Sequence, residues 1–433
     1  MVIRKINVSK IVQLRRSLAV VLLFSFFISL FLLCLSAFSR SLTTKASILI
    51  AHFNPVASMR SFLVDESSGE DLAAYTISER SLRMAESETT SDWTSKLSSC
   101  DLFDGQWVVD DAYPIYKPIS CPYVDKAFDC FKNGRPDSGF LKLRWRPRNC
   151  DIPRFNGTKM LQLLSGKRLV FVGDSLNRNM WESLICAVSE SLDDQKKVVQ
   201  VSGKREFNTV GFYSFKFKDY KCSIDFFRSP FLVKELQRGS KSETLRIDMI
   251  DDKAEEYREA DIIVFNSGHW WTHSKTKKGK NFFQEGDHIY SSLPVNEAYL
   301  KAMRTWAKWV DANIDPDRTR VFFRGYSSSH FKGGQWNSGG NCHGEKRPVA
   351  NEADLAPYPW MMTRVAESVI AEMKTHVFYL NITKMTSFRK DGHPSIFRPF
   401  GKAGKAQDCS HWCLPGVPDS WNELLYAALV VSH

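Results

Sequence analysis

A serine sitting where a strand hands over to a helix is a candidate nucleophile, and the turn Gly173-Asp174-Ser175 has that setting. Leu169 to Val172 is a short unbroken apolar run rich in β-branched and aromatic residues, as in a strand buried on both faces. Leu176, Met180, Leu184 and Val188 then recur every fourth residue, like one face of a helix. At a helix start the backbone N–H groups lack partners and the dipole favours negative charge, so an anionic intermediate is stabilised there. The tripeptide equally suits a plain helix cap, in which a side-chain oxygen takes a first-turn N–H. A nucleophilic serine needs a base, and the base needs an orienting acid. The partners with suitable spacing lie far along the chain, in Asp408-Cys409-Ser410-His411-Trp412-Cys413. Within one tight turn, Asp408 can face one imidazole nitrogen of His411 and leave the other free. A bridge between Cys409 and Cys413 would fix that loop; the plainer reading is a stapled turn whose His411 only hydrogen-bonds.

Positioning a serine and a distant histidine requires a rigid frame, and the chain between them alternates strand and helix signals. Apolar runs occur at Leu169 to Val172, Ile262 to Phe265, Val321 to Phe323 and Val377 to Leu380, and each enters a turn containing Gly, Ser or Asn. Helical patterns lie at Met180 to Val188, Ala298 to Val310 and Met362 to Met373, and Ser420-Trp421-Asn422-Glu423 has the form of a capping box opening a last helix. Alternation of this kind predicts an α/β fold with a mostly parallel sheet flanked by helices, whose ligands bind at the carboxyl ends of the strands. No internal repeat is present. Residues 99–155 are dense in Cys, Trp, Pro, Gly and Arg and read as a loop-rich, disulfide-held subregion. Within it Trp145, flanked by Arg144 and Arg146, reads either as core or as the lining of a sugar groove.

The N-terminus has a different character. Ser17 to Phe38 is apolar and uncharged, long enough at about 20 residues to cross a bilayer as a helix. Arg4, Lys5, Lys10, Arg15 and Arg16 precede it with no acid, so the expected order is a cytosolic tail over 1–16, a signal anchor over 17–38, a flexible stem over 39–98, and a domain over 156–433 on the far side. The net charge of +11 arises mainly here: residues 1–45 hold seven of the 59 basic residues and no acidic one. The remaining 52 basic residues face 48 acidic ones, a net +4 that leaves no electrostatic footprint for nucleic acid. Past Cys34 the chain has nine cysteines, an odd number, so up to four bridges and at least one thiol are expected in an oxidising compartment. Cys100, Cys121, Cys130, Cys150, Cys186, Cys342, Cys409 and Cys413 are the bridging candidates, with connectivity open. Asn156 and Asn381 open sequons. The cysteines lack zinc spacing, and His330, His343 and His393 lie in Gly- or Pro-rich loop sequences, so no metal site is expected.

Gly173-Asp174-Ser175 and Asp408-x-x-His411, together with Cys100 to Cys150, Cys150-Asp151-Ile152-Pro153-Arg154-Phe155 and Asn266-Ser267-Gly268-His269-Trp270-Trp271, closely resemble the plant trichome birefringence-like family of polysaccharide O-acetyltransferases. That family is a branch of the GDSL/SGNH esterase superfamily, and the resemblance covers roughly residues 98–431. It implies an SGNH-hydrolase-like catalytic domain and a triad of Ser175, His411 and Asp408, through which the serine carries an acetyl group before passing it to a sugar hydroxyl. It further implies oxyanion donors at Gly211 and Asn266 beside the Ser175 N–H. Arg178 either orients the acceptor or is an ordinary helix-surface arginine, and His269 either lines the acceptor groove or serves packing. The expected partners are a plant cell-wall polysaccharide and an acetyl donor, with acetyl-CoA the candidate and no bound cofactor. The expected location is the Golgi membrane. Two rival readings are an acetylesterase and a non-catalytic wall-polymer binding protein.

Overall fold

Leu169 and Phe171 enter one large hydrophobic cluster while Val170 and Val172 enter another, which explains why this strand is apolar without a gap. The computed structural model describes residues 100–202, 211–238, 242–335, 338–355, 360–399 and 407–431. The expected tail, anchor and stem lie outside them. Among the described residues no helix is long and apolar enough to cross a membrane.

In chain order the Cys/Trp-rich segment forms an antiparallel pair, β1 (Gly105–Val109) and β2 (Leu143–Pro147). The α/β part follows with α1 (Gly157–Leu163), β3 (Arg168–Gly173), α2 (Ser175–Ser189), β4 (Val198–Gln200), β5 (Phe212–Phe217) and β6 (Cys222–Arg228). Next come β7 (Val233–Arg238), β8 (Ser242–Ile250), α3 (Ala254–Tyr257), β9 (Ile262–Phe265), β10 (Phe283–Glu285) and β11 (His288–Ile289). The chain then forms α4 (Val295–Asn313), β12 (Arg320–Arg324), α5 (Trp360–Ala371), β13 (Val377–Leu380), α6 (Thr383–Ser387) and α7 (Val417–Val431).

The main sheet runs β13-β12-β9-β3-β6-β5-β4; the first five of these strands are parallel, and β5 and β4 add antiparallel edges. The mostly parallel sheet expected from the alternation is therefore present. The four strands legible as apolar runs, β3, β9, β12 and β13, form its contiguous centre and one edge. Strands β5 and β6 escaped the pattern because Ser214, Lys216, Ser223, Asp225 and Arg228 interrupt their aromatic residues. Residues of α1, α2 and α7 join the cluster of Leu169 and Phe171, and residues of α4 and α5 join that of Val170 and Val172. A second, smaller sheet, β11-β10-β8-β7, packs through β8 against α4.

Helix α7 starts at Val417, so Ser420 and Glu423 lie inside it rather than capping it. Asp419 takes the Gly416 N–H at 2.9 Å, and Glu423 is occupied by the Tyr113 hydroxyl. Four disulfides use all eight candidate cysteines: Cys100–Cys150, Cys121–Cys186, Cys130–Cys413 and Cys342–Cys409. The first closes the N-terminal segment on itself. The second and third fasten it to α2 and to the loop of His411. Among the described residues Cys222 is the free thiol, and burial pushes it up to about 12.

Candidate active site

Ser175 is the first residue of α2, placed at the carboxyl end of β3 by a turn that few sequences could make. Asp174 caps the helix, its Oδ1 accepting the Leu176 N–H at 2.9 Å. Asn266, at the end of β9, accepts the Asp174 N–H at 3.0 Å and donates to Asp174 Oδ1 at 2.8 Å. A Cβ on residue 173 would fall 1.8 Å from Asn266 Oδ1, so glycine is what lets the two strand ends approach this closely. Burial by itself would raise the Asp174 carboxyl; His269, Arg324 and Asn266 outweigh it and hold the group below the usual carboxylate range. The turn is thus a rigid anion-centred knot, with the Ser175 side chain left partly exposed on top.

The loop bearing His411 reaches this serine from the other end of the chain. Ser175 Oγ lies 2.7 Å from His411 Nε2, and His411 Nδ1 lies 2.8 Å from Asp408 Oδ2 and 3.0 Å from Oδ1. Asp408 also accepts the His411 backbone N–H at 3.0 Å, so one carboxylate shapes the turn and aims the ring. Burial would raise the Asp408 carboxyl, but His411 and then Arg398, whose Nη1 is 3.8 Å away, keep it below its ordinary value.

Cys409 and Cys413 do not bridge each other. Cys409 pairs with Cys342 and Cys413 with Cys130, so the loop is pinned to two separate parts of the molecule, one on each side of His411. Its main chain is tied as thoroughly. Asp408 and Ser395 exchange backbone bonds, the Cys409 carbonyl accepts from His330 N, and Asn179 of α2 bonds both the N–H and the carbonyl of Trp412. Phe128 packs beside the His411 ring, with centroids 5.3 Å apart.

Ser175, Asp408 and His411 open on a cleft of about 390 Å³ that His269, Trp270, Tyr326 and Arg398 also line. His269 stacks on Tyr326 at 4.2 Å, with Nε2 on the Ser327 carbonyl at 2.9 Å and Nδ1 3.3 Å from Asp174 Oδ2. Gly211 immediately precedes β5, whose register sets Phe212 beside Phe227 of β6 and so two strands from Val172, at the same strand ends as Ser175. Asn266 is fully buried, and both ends of its amide bond Asp174.

Trp145 does not line a groove: it is fully buried, its indole N–H on the Leu102 carbonyl at 3.0 Å and its ring edge-to-face with Trp107. In β2 it takes the inward place, because the β1–β2 pair lays one face on the core. Arg178 is neither a surface arginine nor part of the cleft lining. It is buried, 2.9 Å from Asp125 and 3.2 Å from Glu182, with its guanidinium over Phe128. Asn156 is exposed and caps α1 through Oδ1, and Asn381 is half-buried with Nδ2 3.3 Å from Glu367. His343 lies near Phe397, and among the described residues no group of His, Cys, Asp and Glu is placed to hold a metal.

Sequence reasoning missed Asn179, Tyr326, Arg398 and the buried Arg324, which come from scattered positions and carry no local signature. The Arg178–Glu182 pair did leave one, opposite charges four residues apart on a helix with no other charged residue.

Chemically, the arrangement suits proton transfer from a hydroxyl. With the Nδ1 hydrogen committed to Asp408, a neutral His411 turns its Nε2 lone pair to Ser175, which donates its hydroxyl hydrogen there.

Comparison with known proteins agrees with this geometry. Residues 152–428 match the GDSL/SGNH-like acyl-esterase family found in Pmr5 and Cas1p, and residues 98–151 match the PMR5 N-terminal domain. Arabidopsis thaliana protein trichome birefringence-like 4 is 55% identical over 414 residues, covering 92% of this chain and 90% of that protein. Protein trichome birefringence of the same plant is 54% identical over 350 residues, and trichome birefringence-like 1 is 53% identical over 346 residues. These matches cover 78% and 77% of this chain but only 57% and 62% of the two relatives. On the family match and the identity across its length, the chain belongs to the trichome birefringence-like family and carries its GDSL/SGNH-like acyl-esterase domain.

Proposed function

We propose that this protein transfers acetyl groups to hydroxyls of plant cell-wall polysaccharide by double displacement through an acetyl-serine. The observation that carries the proposal is the unbroken line from Ser175 Oγ through His411 to Asp408 at the edge of an open cleft. In the first half, Ser175 Oγ attacks the acetyl carbonyl while His411 Nε2 takes its proton; the donor's leaving group then departs with that proton. In the second half, a sugar hydroxyl gives its proton to Nε2, attacks the acetyl carbon, and Ser175 leaves and is reprotonated. Asp408 holds the tautomer and offsets the charge on the ring. The Ser175 N–H at the start of α2 is one donor for the tetrahedral oxygen, and Gly211, at the same strand ends, is a second candidate.

Acetyl-CoA is the donor proposed, and a Golgi membrane held through residues 17–38 is the setting proposed. The description of the matched family as acyl-esterase favours a second reading, in which water replaces the sugar hydroxyl. Both readings use the same triad and differ in what the cleft admits. The test is to incubate the full chain with acetyl-CoA and deacetylated cell-wall oligosaccharides and to follow both products by mass spectrometry. Acetylated sugar supports transfer, free acetate alone supports hydrolysis, and near-original transfer by Ser175→Ala would sink the covalent route.

A further inference from the structure

Behind the loop of His411 lie two imidazoles that the chemistry above does not use, His393 buried and His330 half-buried. His393 Nδ1 is 2.7 Å from the His411 carbonyl oxygen, and His330 Nε2 is 2.9 Å from the Ser387 carbonyl oxygen. A carbonyl only accepts, so each of these nitrogens carries a hydrogen. In two neutral rings the remaining nitrogens, His330 Nδ1 and His393 Nε2, would both bear lone pairs. They face each other at 2.7 Å, a hydrogen-bond distance that a pair of lone pairs does not tolerate.

We infer that His330 and His393 share one additional proton, forming an N–H···N bridge that positions His411 through its main-chain carbonyl. The bridge continues a chain from Ser387 through His330 and His393 to His411, with Trp412 stacked on the His393 ring at 4.1 Å.

Burial pushes both rings below their ordinary value and so opposes a charge here; the 2.7 Å contact between the two nitrogens, which only an N–H···N bond allows, holds one proton against that cost, and the charge of either ring excludes a second. The groups facing it are Asp391, Glu345 and Lys390 beside His330, and Asp408 and His411 beside His393. Arg135 bonds the His393 carbonyl at 3.1 Å. The acids favour the shared proton while Lys390 opposes it, and Asp391 and Glu345 are themselves partnered by Arg389 and by Lys332 and Lys390. Losing the proton brings the lone pairs together, so the rings must part and the His411 carbonyl loses its anchor.

These are positioning residues, and the inference rests on the reading of His411 as the base; its first test needs no turnover. The full chain, isotopically labelled at its histidine nitrogens, is examined by NMR at neutral pH. The expected result is one strongly low-field proton coupled to both His330 Nδ1 and His393 Nε2, present in the unmodified chain and in Ser175→Ala, and lost in His330→Gln. Two neutral rings with no coupling between them would overturn the bridge whatever the serine does. The second test is hydrolysis of para-nitrophenyl acetate across pH. His330→Gln keeps a donor for the Ser387 carbonyl but not the facing nitrogen, and should lower kcat by about tenfold with KM unchanged, because small displacements of a catalytic group cost rate rather than binding. It should also remove the alkaline fall in kcat that deprotonation of the bridge produces. An unchanged kcat with the same alkaline fall would reject the positioning role even if the bridge exists.

Discussion

Two aspartate–histidine pairs flank Ser175, and the difference between them is where the second ring nitrogen goes. In the pair Asp408–His411 the far nitrogen meets the Ser175 hydroxyl at 2.7 Å. In the pair Asp174–His269 it meets the Ser327 carbonyl at 2.9 Å, so both nitrogens of His269 are taken by acceptors and neither is paired with the Ser175 hydroxyl. Both carboxylates are buried and both are held below their usual range, yet one lies in the proposed proton path and the other ties down the turn. A lowered carboxyl beside a histidine is therefore no sign of a base; the partner of the second nitrogen decides.

The comparison is most directly broken at Asp408. Asp408→Asn should keep the fold but leave His411 in the wrong tautomer, lowering acetyl transfer by roughly 10³- to 10⁴-fold, as in other acyl-transfer triads. Unchanged steady-state kinetics would remove the distinction. Asp174→Ala should act first on the fold: it deletes a helix cap and leaves Arg324, fully buried and 3.8 Å from that carboxylate, without its counter-charge. A loss of about 3 to 5 kcal/mol in urea unfolding is expected; a variant as stable as the parent would show that the pair is not structural. Cys342→Ser, which frees one side of the His411 loop, should cost about 2 to 5 kcal/mol in the same measurement. It should also lower transfer while leaving the Asp174 turn untouched.

A gentler test uses pH. Under the N-terminal segment, burial pushes Glu182 up to about 8 and Asp419 and Glu423 up to about 7, the opposite of Asp174 and Asp408. Groups raised on folding stabilise fully below their unfolded values and lose that contribution as pH rises through the folded values. The lowered pair contributes above its unfolded value and loses that contribution only as pH falls below it, under about pH 4. Stability should therefore decline between about pH 5 and 8 by roughly a few kcal/mol. Glu423→Gln should flatten that slope in denaturation midpoints, whereas a slope unchanged in this variant would mean that the buried acids are ionised throughout.

Much of this was legible from local pattern, and the rest was not for definite reasons. The four apolar runs and the helices after them are visible because a strand buried on both faces must be continuously apolar and an amphipathic helix must repeat near every fourth residue. Strands β5 and β6 are not, since their polar residues break the run. Trp145 could belong to core or groove on sequence grounds, and the β1–β2 register sent it inward. Arg178 read as either an acceptor-orienting or a surface arginine because nothing local foretold that Asp125 and Phe128 would cover it.

The sequence alone determined the chemistry on offer: a serine after Gly-Asp at a strand-to-helix turn, an acid and an imidazole three residues apart, and eight cysteines able to pair. It could do so because turn geometry, helix period and residue chemistry act over a few neighbours. The tertiary structure decided which cysteines meet, which histidine faces Ser175 and which carboxylate merely holds the turn. Each of those outcomes depends on contacts between residues far apart in the chain, 236 positions in the case of Ser175 and His411. No local rule reaches that distance; the register of the sheet and the bridges that pin the last loop set it.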